Sequence, residues 1–372
     1  MFPPAAVPRL GALSVCKVAV DSWQLSVAER PLAHVLVDVS EVSSRGGNRV
    51  AGRPIIADAA GVLRLPPATA GAAVLQVHAI NPVGRGVTRT DRLGAWRLPQ
   101  RTAQATCTPG IDGSWHVVEN SDNAASAFHV LAGLWDAYCV ALRPLLPPSA
   151  RPFPLPPPIM FPDHSPAALA WVQPVSWPNG QPRMRLPATD PGGNQMDFSS
   201  MAGVSLLAHE LAHLVHFAGC SVRQRAVIGA QYLMWLAGAA VTTGSPFHHP
   251  TARTSSTVAW VEAFGLLAER FAWYAQLAAA GEPSSSSRTG QRDPDELARS
   301  FVADELSAHP TLADHMPGYV QVAVMHAGTI SHLCEDTVVE GGIYSRTFLE
   351  VARKSSLAAA VQAYLRQATP PT

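Results

Sequence analysis

The chain has 372 residues, 47% of them hydrophobic and 15% charged, and its 27 basic side chains balance 27 acidic ones to a formal net charge of zero. That length and apolar fraction suit a globular protein of one large or two ordinary domains with a sizeable core. Balanced charge argues against an electrostatic nucleic-acid or anionic-membrane partner, and the longest apolar run, Tyr232 to Val241, is too short to cross a bilayer.

Cysteine usage and the first residues narrow the class further. Cys16, Cys107, Cys139, Cys220 and Cys334 are scattered and lack CxxC spacing, so neither a disulfide framework nor a cysteine zinc site is expected. Met-Phe-Pro-Pro-Ala-Ala-Val-Pro-Arg at the start has no basic stretch followed by an apolar one. The expectation is a soluble protein, intracellular or exported without a Sec signature, with its oligomeric state left open.

From about Ser14 to Leu98 the pattern is of short strands broken by Gly, Pro and Asn. They are Val18-Ala-Val-Asp-Ser-Trp-Gln-Leu, His34-Val-Leu-Val-Asp-Val, Val62-Leu-Arg-Leu and Ala73-Val-Leu-Gln-Val-His-Ala. Such spacing predicts a small antiparallel β-sandwich over residues 12–100. Pro31-Leu-Ala-His-Val-Leu-Val-Asp-Val with Asp58-Ala-Ala-Gly-Val-Leu-Arg-Leu-Pro resembles the transthyretin-like accessory sandwiches of hydrolases. That resemblance supplies no catalytic residue.

Residues 101–158 read as a connecting helix and a linker. Ala124 to Leu142 has helical periodicity, with Asp122 or Asn123 available as its cap. Arg143 to Pro158 is proline-rich, and missing amide donors and a fixed φ predict an extended connector. The remaining segment, 159–372, is expected to be mainly helical with a small edge sheet. Ala167–Val175 and Arg183–Leu186 read as strands joined through Trp177-Pro-Asn-Gly180, where Asn-Gly is a hairpin dipeptide. Helical patterns follow at 223–240, 256–280, 294–308, 317–334 and 342–368, with a serine-rich loop at 282–291. The predicted fold class is therefore α+β.

The chemistry concentrates in His209-Glu-Leu-Ala-His213, set in the apolar stretch 203–218. Positions four apart stack on one helical face, so His209 and His213 can present imidazole nitrogens to one metal ion. Glu210 stands beside them as a candidate base. A catalytic zinc needs a third protein ligand and one open position. His216 shares the face, but seven residues at about 1.5 Å rise put it roughly 10 Å from His209, too far to share an ion. A metzincin site needs Gly at 216 and His at 219, where this chain has His216 and Gly219.

Glu262, in Trp260-Val-Glu-Ala-Phe-Gly-Leu-Leu-Ala-Glu-Arg-Phe271, is the preferred third ligand, because a carboxylate in so apolar a helix needs a partner that a cation supplies. Glu269, one heptad later, competes for the role but fits an ordinary solvated residue better. The expected cofactor is Zn2+, on His209, His213 and Glu262.

His209-Glu-Leu-Ala-His213 with a downstream glutamate on a separate helix resembles the gluzincin arrangement. Trp260-Val-Glu262-Ala-Phe264 is similar to the W-x-E-G/A-F helix of that family. Trp177-Pro-Asn-Gly-Gln-Pro-Arg-Met184-Arg and Met196-Asp-Phe-Ser-Ser also resemble the thermolysin and fungalysin-like enzymes, where an edge hairpin before the metal helix pairs with extended substrate. The resemblance covers about residues 123–350. It implies a zinc metallopeptidase, a hydrolase of peptide or protein substrates, with Glu210 as general base. His326, Tyr319 and Tyr344 are the candidate oxyanion donors. His326-Ala-Gly-Thr-Ile330 is similar to the fungalysin donor segment but out of step with it by one residue. Two other readings stay open, a zinc amidase acting on a non-protein substrate and a catalytically silent metal-binding or effector module. No DxDxDG-type calcium loop is present.

Overall fold

The computed structural model describes residues 13–41, 53–65, 73–88, 101–110, 114–120, 124–143, 153, 155–163, 170–176, 180–187, 189 and 196–243. Of a further helical stretch it describes Val261, Glu262, Gly265, Ala268, Glu269, Ala272 and Gln276. The described residues are of mixed α+β class, with antiparallel sheets and helices. The chain divides into two units: Met1–Trp135 with Phe153–Trp171 and Met184–Phe198, and Asp136–Pro152 with Val172–Arg183 and Ser199–Thr372.

The first unit opens with β1 (Leu13–Ala19), β2 (Ser22–Val27), β3 (Arg30–Pro31), β4 (Leu36–Glu41), β5 (Arg53–Ile56) and β6 (Val62–Arg64). There follow β7 (Ala73–His78), β8 (Ile80–Asn81), β9 (Gly84–Thr88), β10 (Arg101–Thr102), β11 (Gln104–Pro109) and β12 (Trp115–Asn120). Where one strand was expected over Val18–Leu25, the chain makes the β1–β2 hairpin, turning at Val20 and Asp21. The reason is a change of phase: Val18 and Val20 are exposed, whereas Trp23, Leu25 and Val27 point inward. Both β3 and β6 pair with β2.

A second sheet has the order β12-β11-β7-β4-β5, antiparallel throughout. Its register aligns Val37, Val77 and Ala105 across three strands, all buried. Full burial of a valine or leucine is worth about 1.5–3 kcal/mol, so these rungs fix the register strongly. Strands β11 and β12 fall in the stretch read from sequence as a connector. Their alternation is interrupted by threonines and by a shift of register between Thr106 and Cys107, which blurs a period-2 signal.

After α1 (Ala124–Ala137), which runs on as a π-helical turn over Tyr138–Leu142, come β13 (Pro158–Asp163), β14 (Trp171–Gln173) and β15 (Arg183–Pro187). The start of α1 packs on β9 at Gly86, where a Cβ would stand 2.8 Å from that of Ala127. Strand β13 lies between β9 and β15, parallel to both. Its first residue, Pro158, ends the stretch read as linker in the sequence, and all six of its residues are buried. A buried ion pair joins the two parallel neighbours: Arg185 Nη2 donates to Asp163 Oδ1 at 2.9 Å, and its Nε lies 2.8 Å from Oδ2.

In the second unit the expected turn before β15 is closed by Gly180 N–H donating to Ser176 O at 2.8 Å, with Gly180 at φ +69°. Helix α2 (Met201–Gly219) starts at Ser200, whose hydroxyl accepts from Gly203 N–H at 3.1 Å. Helix α3 (Val222–Thr243) starts with a reciprocal cap between Ser221 and Gln224. From Gly203 to Phe217 only Leu206 and His209 fall short of full burial. A helix covered on all sides can hold polar side chains only if they find partners.

Candidate metal centre

Glu210, His213 and His216 are the charged or imidazole side chains buried on α2, with His209 partly exposed. The helical stretch at 261–276 supplies what His209 and His213 meet. Glu262, Gly265, Ala268, Glu269, Ala272 and Gln276 share one face at helical spacing. On that face Gly265, Ala268 and Ala272 are small, which lets the backbone approach α2 closely. Gln276 ties it to the start of α2, donating to Met201 O at 3.3 Å and to its own Ala272 O at 3.0 Å.

Gly265 lies against both imidazoles. A Cβ there would lie 2.8 Å from His213 Cε1 and 2.9 Å from His209 Nε2. Any larger residue would push the imidazoles from their present places, so glycine suits the site's geometry. One turn before it, Glu262 is 2% exposed. Its Oε2 lies 3.6 Å from His209 Nε2 and 3.9 Å from His213 Nε2, and the two Nε2 atoms are 3.0 Å apart. The three candidate ligand atoms thus fall within 4.8 Å of one another. Ligands about 2.0–2.1 Å from a tetrahedral ion are separated by about 3.3 Å, which the observed edges of 3.0, 3.6 and 3.9 Å straddle. Two imidazoles and one carboxylate are also a donor set that zinc accepts. The residues fit such an ion.

Further groups surround this triangle. Glu269, expected as an ordinary solvated residue, has Oε2 at 3.1 Å from His209 Nδ1, with its side chain 37% exposed. Tyr232 on α3 donates its hydroxyl to Glu262 Oε1 at 2.5 Å. Sequence reading missed Tyr232 because it sits in a helix with no motif. The signals that could have found the rest were the heptad spacing of Glu262 and Glu269, and a glycine inside an apolar helix, where it costs about 1 kcal/mol against alanine.

The electrostatics follow from burial and from three carboxylates. Burial pulls the His209 pKa down, but hydrogen bonding and charge from Glu262, Glu269 and Glu210 outweigh it and leave the imidazole well above its usual value. At 3.6 Å the Glu262 contact is ionic rather than a hydrogen bond. Glu210 is pushed up to about 7, first by burial and then by Glu262 and Glu269, with His209 acting against them. Its Oε2 has no hydrogen-bond partner among the described residues. His216 is lowered to about 4 by burial, stacks near Phe217 and takes no part in the triangle.

Of the sequence-predicted site residues, His209, Glu210, His213 and Glu262 are therefore together. His326, Tyr319 and Tyr344 lie outside the described residues, as do Trp260 and Phe264. Among the described residues no helix is long and apolar enough to cross a membrane. No protein-family model, curated protein or solved structure matches the chain.

Proposed function

We propose that the protein is a zinc-dependent peptidase of the gluzincin type, hydrolysing peptide bonds with Glu210 as general base. The observation that carries this reading is the triangle of His209, His213 and Glu262 beside a buried, otherwise unbonded Glu210 oxygen. On this reading residues 159–372 carry a zincin-like catalytic domain, and residues 12–100 form a transthyretin-like accessory sandwich.

His209 and His213 would hold the ion through Nε2 and Glu262 through Oε2. Zinc, when bound, acidifies water and polarises a carbonyl. The remaining work falls to the chain. Glu210, buried beside the three ligands, would take a proton from the attacking water and return it to the leaving amine. Glu269 meets His209 at Nδ1, which would leave Nε2 to hold the ion.

The test is zinc content together with cleavage of an unstructured protein such as casein, for the wild-type chain and Glu210→Gln. Stoichiometric zinc in both, with hydrolysis reduced about 100- to 10,000-fold in the variant, is the expected result. Zinc bound by both without any Glu210-dependent cleavage would sink the peptidase assignment.

A further inference from the structure

Resting on the zinc reading above, we infer that Tyr232 is a positioning residue for the metal: its phenol holds one oxygen of Glu262, so that this carboxylate meets the ion through the other oxygen alone. The division of labour is visible in the distances. Oε1 receives the Tyr232 hydroxyl at 2.5 Å, while Oε2 is the oxygen that faces His209 and His213 at 3.6 and 3.9 Å. A glutamate has two equivalent oxygens and a soft terminal torsion. Left to itself it can turn to offer both to a cation. Glu262 is 2% exposed, so solvent does not supply a competing donor in place of the phenol.

Tyr232 also brings a third element to the site. The imidazoles come from α2 and the carboxylate from the 261–276 stretch, whereas the phenol comes from α3. Trp235, one turn further on, meets the Tyr232 ring edge-on at 6.2 Å between centroids. Outer groups of this kind typically change metal affinity by 10- to 100-fold when removed.

The experiment compares wild type and Tyr232→Phe as full chains, by zinc competition against a chromogenic chelator and by the visible absorption of the cobalt(II)-substituted proteins. Cobalt d–d bands weaken as coordination number rises, so they report whether the freed Oε1 joins the ion. The expected result is a 10- to 100-fold loss of zinc affinity with a weaker cobalt band in Tyr232→Phe. An unchanged band overturns the inference whatever the affinity does, because a merely structural tyrosine would leave coordination alone. X-ray absorption of the unaltered zinc protein is the second arm. A single carboxylate oxygen in the coordination shell supports the inference, and two at equal distance overturn it. A folded wild-type chain that takes up no zinc overturns the zinc reading itself, and this inference with it.

Discussion

Glu269 places Oε2 3.1 Å from Nδ1 of His209, on the side of the ring opposite the nitrogen that approaches His213. The contact puts the proton on Nδ1 and leaves the Nε2 lone pair for an ion. Glu269→Ala is therefore expected to weaken zinc binding by about 10- to 100-fold. Glu269→Gln, which keeps an acceptor oxygen, should recover part of the loss. Chelator competition measures both, and equal affinities for wild type and Glu269→Ala would contradict this arrangement.

Gly265 gives a second, steric prediction. In Gly265→Ala the added methyl would stand 2.8 and 2.9 Å from the two imidazoles, and overpacking of that kind costs about 1–3 kcal/mol. Alanine is at the same time the better helix former. Zinc affinity should fall roughly 5- to 150-fold while far-ultraviolet circular dichroism stays as in wild type. A variant that binds zinc normally would show that the helices do not approach so closely.

His216 makes a prediction about acid stability. Its folded pKa of about 4 lies below the ordinary 6.5, so between those values the unfolded chain binds a proton that the fold refuses. The stabilising contribution is fully present above about pH 6.5 and is lost as pH falls through 4, by up to roughly 3 kcal/mol. Unfolding free energies of the metal-free protein from pH 7 to pH 4 should fall less steeply in His216→Leu. Parallel pH profiles for the two proteins would remove His216 as the source.

The buried pair of Arg185 and Asp163 gives a fourth. Asp163→Ala leaves an uncompensated guanidinium in a site where both side chains are under 5% exposed, and should cost about 3–5 kcal/mol by denaturant unfolding. Adding Arg185→Met should recover most of that cost. A single variant within 1 kcal/mol of wild type, as with a surface ion pair, would show the pair to be solvated.

How much of this was legible in the sequence depends on what carried the signal. His209, Glu210 and His213 are local: four positions on one helix fix their relation, so the motif alone brings them together. Glu262 needed only the argument that a carboxylate in an apolar helix seeks a cation. Gly265 showed only as a glycine inside an apolar helix, and Tyr232 was illegible, because its role exists only once α3 meets Glu262 and no spacing along the chain encodes that meeting. The strands show the same division. β4, β6 and β7 announce themselves by alternating apolar residues, and α1 by its periodicity. β13 does not, since prolines at both ends imitate a connector and its neighbours β9 and β15 are remote in sequence. Likewise β11 and β12 are recognisable mainly by the edge of β7 that they cover.

Strand β13 also governs where the protein can be cut. Its pairing with β9 is a contact between residues 84–88 and 158–163, and its pairing with β15 reaches to Pro187. On a ribosome the first unit cannot close when its early strands emerge, and it must wait for that later chain. An expression fragment that stops within the proline-rich stretch, the natural place to cut by composition, would leave one side of β9 open for other chains to pair with. Cutting after Phe198, where the first unit ends, keeps β9, β13 and β15 together. A parallel strand in the middle of the chain thus sets how far a fragment must run to keep that side of β9 covered.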